Sequence, residues 1–148
     1  RTTMSELSSP SRAKRPEFRN INAFADLPSY RWPLAALVSG AHRASGLFMF
    51  LLMPFIIWMF DTSVTSEVSY DVFRSAFAAG VGFVPGWFLK LVVLALIWAY
   101  LHHLIAGLRH LWMDATHAVT KQFGHTSAIA TLALSVLLTL ALGFKLFF

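Results

Sequence analysis

The residues of this sequence best suited to chemistry are ionisable side chains inside long apolar segments. His103, Gly107, His110 and Asp114 have the spacing i, i+4, i+7, i+11, which places them on one face of a helix. His103 precedes Asp114 by eleven residues, a helical rise of about 16 Å. If Asp114 marks a membrane interface, His103 lies near the middle of the bilayer. Arg109 and Asp114 are predicted to be interfacial anchors or to form an ion pair between helix ends.

A neutral imidazole at the depth of His103 requires a bonding partner. Haem iron is one candidate, because imidazole nitrogen is a common axial ligand, and Gly107 leaves room for a flat macrocycle to approach the backbone. Two alternatives stay open: a histidine hydrogen-bonded to a neighbouring helix, with Gly107 serving close helix packing, and a proton relay or a site for another metal. His102 points about 100° away and is predicted to pack or to meet a partner subunit.

A second polar group lies in the preceding apolar segment. Ser39, His42, Arg43 and Gly46 recur at i, i+3, i+4, i+7 and again share one helical face. Arg43 is permanently charged and requires an anion or a strong acceptor, such as a haem propionate or a quinone carbonyl. Ser39 can donate to a carbonyl oxygen. The alternative is that Arg43 extends to water with its aliphatic stem along lipid.

The elements that position these residues are predicted to be membrane-spanning helices. The chain is 57% hydrophobic and 13% charged, whereas soluble domains are about 45–50% apolar and about 25% charged. A spanning helix takes about 20 apolar residues, which predicts spans at about 33–60, 85–113 and 126–147. The predicted fold class is an all-α integral membrane protein, with a cytoplasmic arm over 1–32 and three transmembrane helices in an up-down bundle over 33–148.

Charge distribution predicts the orientation of the bundle. Residues 1–31 contain six Lys and Arg against three acidic residues, and the connection after the first span contains one against three. Because basic residues favour the cytoplasmic side, the N-terminus is predicted to be cytoplasmic, with both polar groups in the cytoplasmic half. The third helix is expected to close the bundle. Pro54 is predicted to kink the first helix, and a short helix is predicted around Ser69–Ala79.

The sequence argues against sites that require cysteine and against nucleic-acid binding. The chain has no cysteine, so disulfides, zinc knuckles and thiol-ligated iron–sulfur clusters within it are excluded. The positive net charge is interpreted as a topology signal, and binding to nucleic acid is not expected.

The two polar groups, taken together and in order, resemble those of a known family. The motifs S-G-A-H-R-A-S-G at Ser39–Gly46 and H-x-x-x-G-L-R-H-L-x-x-D at His103–Asp114 are similar to those of the cytochrome b membrane-anchor subunit of succinate dehydrogenase, respiratory complex II. The arm segment Arg15–Asn20, the Arg31-x-Pro33 start, the three spans and the length also match, over nearly the whole chain. The arm departs from the commoner family wording, in which Arg-Pro is followed by a Ser-Pro-His stretch.

The resemblance implies a role within a complex. A second small membrane-anchor subunit would pair with this chain, and the two would hold a flavoprotein and an iron–sulfur protein that carry FAD and the iron–sulfur clusters. Succinate would be oxidised at the flavin and ubiquinone reduced near the membrane surface. This chain would be a non-flavin subunit, not catalytic alone, in a bacterial inner membrane or alternatively a mitochondrial one.

The resemblance also implies roles for single residues. His103 matches the axial ligand of one haem b, whose other ligand comes from the partner anchor, and Ser39 and Arg43 match quinone-binding positions. The expected residues of the haem propionate site and pocket are His42, Arg43, Gly107 and His110. Two rival hypotheses are a haem-free structural anchor of the same complex and a small transport bundle with a histidine and arginine pathway.

Overall fold

The computed structural model describes residues 20–148, and within them the regular elements are helices. They are α1 (Leu34–Leu51), α2 (Met53–Val64), α3 (Glu67–Ala78), α4 (Gly86–Thr116) and α5 (Lys121–Phe147). Three of these helices, α1, α4 and α5, are long and apolar enough to cross a membrane. The predicted all-α membrane fold with three spanning helices is confirmed.

The chain divides into two units, residues 1–31 and residues 32–148. In the first, the described residues 20–31 are exposed and contain a turn in which the Asn22 backbone N–H donates to Asp26 Oδ2 at 2.8 Å. The Asn22 Oδ1 atom accepts from the Phe24 N–H at 3.0 Å. The segment Arg15–Arg19, which carries most of the arm resemblance, lies outside the described residues.

Two consecutive helices replace the single first helix that the apolar segment predicted. The break falls at Leu52, whose φ of −90° and ψ of 9° are not helical, and Pro54 lies in the first turn of α2. Proline has no N–H to donate to the preceding turn, and its ring crowds the carbonyl four residues back. The predicted kink at Pro54 is therefore an interruption of the helix.

The connection from α2 to α4 is compact. Ser66 caps α3 by accepting from the Ser69 N–H, while the Ser69 hydroxyl accepts from the Ser66 N–H, so the short helix predicted around Ser69–Ala79 is confirmed. Gly80 then adopts a φ of +103°, which a residue with a side chain adopts only under strain. Gly86 begins α4 so close to α3 that an added Cβ would lie 2.6 Å from the Phe77 carbonyl oxygen.

The three long helices pack as antiparallel neighbours in chain order. Arg109 near the end of α4 bonds Ser127 near the start of α5, whereas Leu94 near the start of α4 lies beside Gly143 near the end of α5. The buried face of α5 consists of small residues, which allow two helix backbones to approach closely in lipid. They are Gly124, Ala128, Thr131, Ser135, Thr139 and Gly143.

Most of the apolar surface of the bundle points outward. Between 11% and 28% of the residues in the most apolar windows of α1, α4 and α5 are buried within the chain. Large exposed side chains such as Phe50, Leu51 and Leu137 line the outside. Such a surface suits contact with lipid or with other apolar chains.

The close approach of α3 and α4 generates a stability prediction. A Gly86→Ala substitution should lower the free energy of unfolding by about 1–3 kcal/mol, because its methyl group meets backbone that cannot rotate away. The measurement is the melting temperature of the purified protein in mild detergent.

Gly40→Ala is the matched control, since Gly40 lies in α1 with no atom within 4 Å of the added Cβ. It should leave the melting temperature unchanged or slightly higher. Equal melting temperatures for the two variants would contradict the packing described at Gly86.

Candidate functional site

Three of the histidines singled out in the sequence meet where α1 crosses α4. The His42 and His103 rings are stacked, with centroids 4.1 Å apart and planes inclined by 15°. The centroid of His110 lies 5.4 Å from that of His42. The two polar groups, which were predicted to share one half of the bundle, therefore meet. We call His42, His103 and His110 the histidine cluster.

The orientation of His103 follows from one hydrogen bond. Its Nδ1 lies 3.0 Å from the His42 carbonyl oxygen. A carbonyl can only accept, so Nδ1 carries the hydrogen and the Nε2 of the neutral ring keeps its lone pair. Histidines that bind metals have this arrangement, with the second ring N–H held by a backbone carbonyl or carboxylate. The His103 side chain therefore fits the role of an axial ligand to haem iron.

A glycine on α1 makes room for the His103 ring. A Cβ added to Gly46 would lie 2.9 Å from His103 Cε1 and 3.2 Å from its Nδ1, which is closer than van der Waals contact. A Cβ at Gly107, by contrast, would lie 3.5 Å from His42 Nε2, an ordinary contact. The closest approach of the two helices at this cluster therefore depends on Gly46, while Gly107 lies against the His42 ring.

His102 is fully buried and bonded within the chain. Its Nε2 lies 3.4 Å from the Val38 carbonyl oxygen and its Nδ1 lies 3.4 Å from Ser135 Oγ. The ring also stacks on Trp98, with centroids 5.3 Å apart. Both ring nitrogens have partners inside the bundle, so His102 is a packing residue and does not face a partner subunit.

The predicted role of Arg109 as an interfacial anchor or ion-pair partner is wrong. Arg109 is only 8% exposed, and it donates through Nε to Ser127 Oγ at 2.8 Å and through one terminal nitrogen to the Gly124 carbonyl at 3.2 Å. The reason is the short connection between α4 and α5, which brings the small residues of the first turns of α5 beside Arg109. Asp114, on the same helix, is exposed.

Ser39 and Arg43 lie one helical turn apart on α1, next to the histidine cluster. Ser39 is partly buried and Arg43 is exposed. Arg43 follows His42 directly on α1 and its side chain is exposed, so its charge is not enclosed by the bundle. These two positions can present a hydroxyl and a guanidinium to a ligand that approaches from outside α1.

Ser45 is the site residue to which the sequence assigned no role. It is 1% exposed, and its hydroxyl donates to the His42 carbonyl at 2.8 Å. Its Oγ also lies 3.4 Å from His103 Nδ1. Serine in a helix commonly bonds the carbonyl three or four residues back, and that local pattern was the available signal.

Among residues 20–148, no group of three or more His, Cys, Asp and Glu side chains is arranged to hold a metal ion.

Comparison with known proteins gives a family match over most of the chain. Residues 14–142 match the family described as the succinate dehydrogenase/fumarate reductase transmembrane subunit. The chain is 35% identical over 112 residues to a succinate dehydrogenase cytochrome b556 subunit of Paracoccus denitrificans, covering 76% of this chain and 81% of the relative. It is 31% identical over 131 residues to the subunit of the same name in Coxiella burnetii, covering 88% of this chain and 95% of that relative.

The buried arginine generates a second stability prediction. Arg109→Ala should lower the melting temperature of the purified protein more than Ser127→Ala does, because the alanine at 109 removes two charge-assisted donors, each worth about 1.5–3 kcal/mol. Ser127→Ala removes only one of the two acceptors.

The double variant checks that the two side chains act as a pair. Its melting temperature should be close to that of Arg109→Ala alone, since the shared bond is already lost. Fully additive losses would show that Arg109 and Ser127 stabilise the helices independently.

Proposed function

The chain belongs to the family of succinate dehydrogenase and fumarate reductase transmembrane subunits, and we propose that it holds haem b together with a second small anchor subunit and forms part of the ubiquinone-reduction site of a succinate dehydrogenase. The relatives from Paracoccus denitrificans and Coxiella burnetii are named as cytochrome b556 subunits, which supports a haem. The observation that carries the proposal is the hydrogen bond from His103 Nδ1 to the His42 carbonyl.

His103 is the proposed axial ligand. Its Nδ1–H is held by α1, so its Nε2 lone pair is fixed in direction before any ligand arrives. A preorganised ligand loses little conformational freedom on binding. Haem b, when bound, supplies a one-electron redox centre, and its second axial ligand would come from the partner anchor.

The remaining residues of the histidine cluster, with Arg43, are proposed to hold the haem propionates. The His42 ring stacks on that of His103, with centroids 4.1 Å apart, and the His110 centroid lies 5.4 Å from that of His42. Arg43 adds a permanent positive charge that suits a carboxylate. Gly107 lies within the same group and adds no side chain to it.

Ser39 and Arg43 are proposed to bind the quinone. The Ser39 hydroxyl can donate to a quinone carbonyl oxygen, and the Arg43 guanidinium can stabilise negative charge that develops on that oxygen during reduction. Arg43 is exposed on α1, so a quinone carried by an adjoining subunit or by the bilayer can reach it. Proton donation is assigned to groups outside this chain.

The remainder of the complex follows from this assignment. FAD and the iron–sulfur clusters would reside in a flavoprotein subunit and an iron–sulfur subunit on the cytoplasmic side, the side on which the basic arm predicts the N-terminus. This chain is then a membrane subunit of an oxidoreductase with no activity alone. The two named relatives come from bacteria, which supports the bacterial inner membrane as its location.

The axial-ligand role predicts contrasting effects for adjacent histidines. A His103→Ala complex should lose its b-type haem or lose the six-coordinate low-spin spectrum, because the iron loses one axial nitrogen. A His102→Gln complex should keep the wild-type spectrum, since His102 bonds only within the bundle. The measurement is the reduced-minus-oxidised visible spectrum of each purified complex, with its electron paramagnetic resonance spectrum.

An unchanged low-spin spectrum in the His103→Ala complex would remove His103 as the ligand. A wild-type complex that shows no b-type absorbance change would instead favour the haem-free structural anchor.

The quinone-site role predicts a selective loss of one activity. Ser39→Ala and Arg43→Ala complexes should reduce ubiquinone at least about tenfold more slowly, because each removes a donor to the reacting carbonyl. Both should still oxidise succinate with a soluble artificial acceptor that takes electrons before the membrane.

Ser75→Ala and Arg74→Ala are the matched controls, since they remove an exposed serine and arginine from α3. Both should keep wild-type quinone reduction. Wild-type quinone reduction in the Ser39 and Arg43 variants would reject the assignment.

A further inference from the structure

The buried hydroxyl of Ser45 donates to the same carbonyl oxygen that orients His103. The His42 carbonyl oxygen accepts from Ser45 Oγ at 2.8 Å and from His103 Nδ1 at 3.0 Å. The same oxygen is the helical acceptor of the Gly46 N–H, four residues on. Three donors therefore converge on a single acceptor.

Donors that converge on one oxygen compete for its electron density. A carbonyl that already accepts a short hydroxyl hydrogen bond is a weaker acceptor for a further N–H, because each bond draws on the same lone pairs. The Ser45 hydroxyl thus weakens the His103 Nδ1–H···O bond. The Oγ lies 3.4 Å from His103 Nδ1, farther than the His42 carbonyl oxygen at 3.0 Å, so it is the weaker of the two acceptors for that N–H.

The strength of the bond at Nδ1 governs the basicity of Nε2. A strongly held Nδ1–H gives the ring imidazolate character and makes the opposite nitrogen a better donor to a metal. A more basic axial ligand stabilises ferric over ferrous iron and lowers the midpoint potential. We propose that Ser45 is a positioning residue that raises the midpoint potential of haem b by competing with His103 for the His42 carbonyl.

This inference rests on the proposed function, in which His103 ligates haem b. Water cannot replace the hydroxyl readily, because Ser45 is 1% exposed and the space left by removing one oxygen atom is smaller than a water molecule needs. The effect of the hydroxyl can therefore be removed cleanly by substitution.

The chain contains a matched control for this serine. Ser135 is also fully buried, its hydroxyl also bonds the carbonyl three residues back, and its Oγ also lies 3.4 Å from an imidazole Nδ1. That imidazole belongs to His102, the packing histidine. Ser45→Ala and Ser135→Ala thus remove the same group beside the same ring type, and only the first lies beside the proposed ligand.

The test is a potentiometric titration of the haem in three purified complexes: wild type, Ser45→Ala and Ser135→Ala. The haem content of each is measured first from the reduced-minus-oxidised spectrum. We expect wild-type haem content throughout, a lower midpoint potential with shifted low-spin g-values in Ser45→Ala, and wild-type values in Ser135→Ala.

Each other outcome has a defined meaning. A midpoint potential in Ser45→Ala that is unchanged or higher, at wild-type haem content, overturns the role of Ser45 while the haem assignment stands. An equal shift in Ser135→Ala also overturns it, because the effect would then be one of general packing. A wild-type complex without a b-type spectrum overturns the proposed function and this inference together.

A second variant applies if Ser45→Ala purifies without haem. Ser45→Cys keeps a side chain of similar shape with a weaker S–H donor. A midpoint potential below that of wild type supports the competition at the His42 carbonyl, and an unchanged or higher one overturns it.

Discussion

The hydrogen bond between His103 on α4 and the His42 carbonyl on α1 is the interaction on which the site depends. Polar groups within a bilayer have no water to bond, so each one must find a partner in the protein. Here the partner is a backbone carbonyl, which fixes both the ring orientation and the nitrogen that carries the hydrogen. The ring occupies space that Gly46 leaves open at the crossing, since an added Cβ would lie 2.9 Å from His103 Cε1. The direction of the His103 Nε2 lone pair follows from this one crossing.

His102 and His103 are adjacent on α4, but their side chains enter different surroundings. His102 turns into the bundle, where both of its nitrogens meet groups of α1 and α5. His103 turns toward α1, where its Nδ1 donates to the His42 carbonyl. The alternative of a histidine hydrogen-bonded to a neighbouring helix therefore holds for both residues, and the proposed haem ligation gives a role to the second ring nitrogen of His103 alone. Arg109 is also a structural residue, because its guanidinium donates to two groups of α5 and so holds α5 against α4.

Structural features that depend on local sequence patterns were predicted, whereas features that depend on contacts between helices were missed. The helical membrane fold was predicted from three long apolar segments. The shared face of His103, Gly107 and His110 was predicted from the 3.6-residue helical period. A kink at Pro54 was predicted, whereas the helix is interrupted at Leu52. The extent of the distortion depends on whether neighbouring groups bond the carbonyl that Pro54 leaves without an N–H donor. The burial of Arg109 was missed because it depends on where α5 starts. The contact of Ser45 with the site could not be predicted, because its carbonyl partner also accepts from an imidazole on another helix.

The most direct test of the account is to purify the complex in mild detergent through a tag on this chain, and to record which chains accompany it and its reduced-minus-oxidised visible spectrum. The account predicts a flavoprotein, an iron–sulfur protein and a second small membrane subunit in the preparation, together with a b-type absorbance change. Purification of this chain with those partners but without such a change would contradict its central claim, that His103 holds a haem.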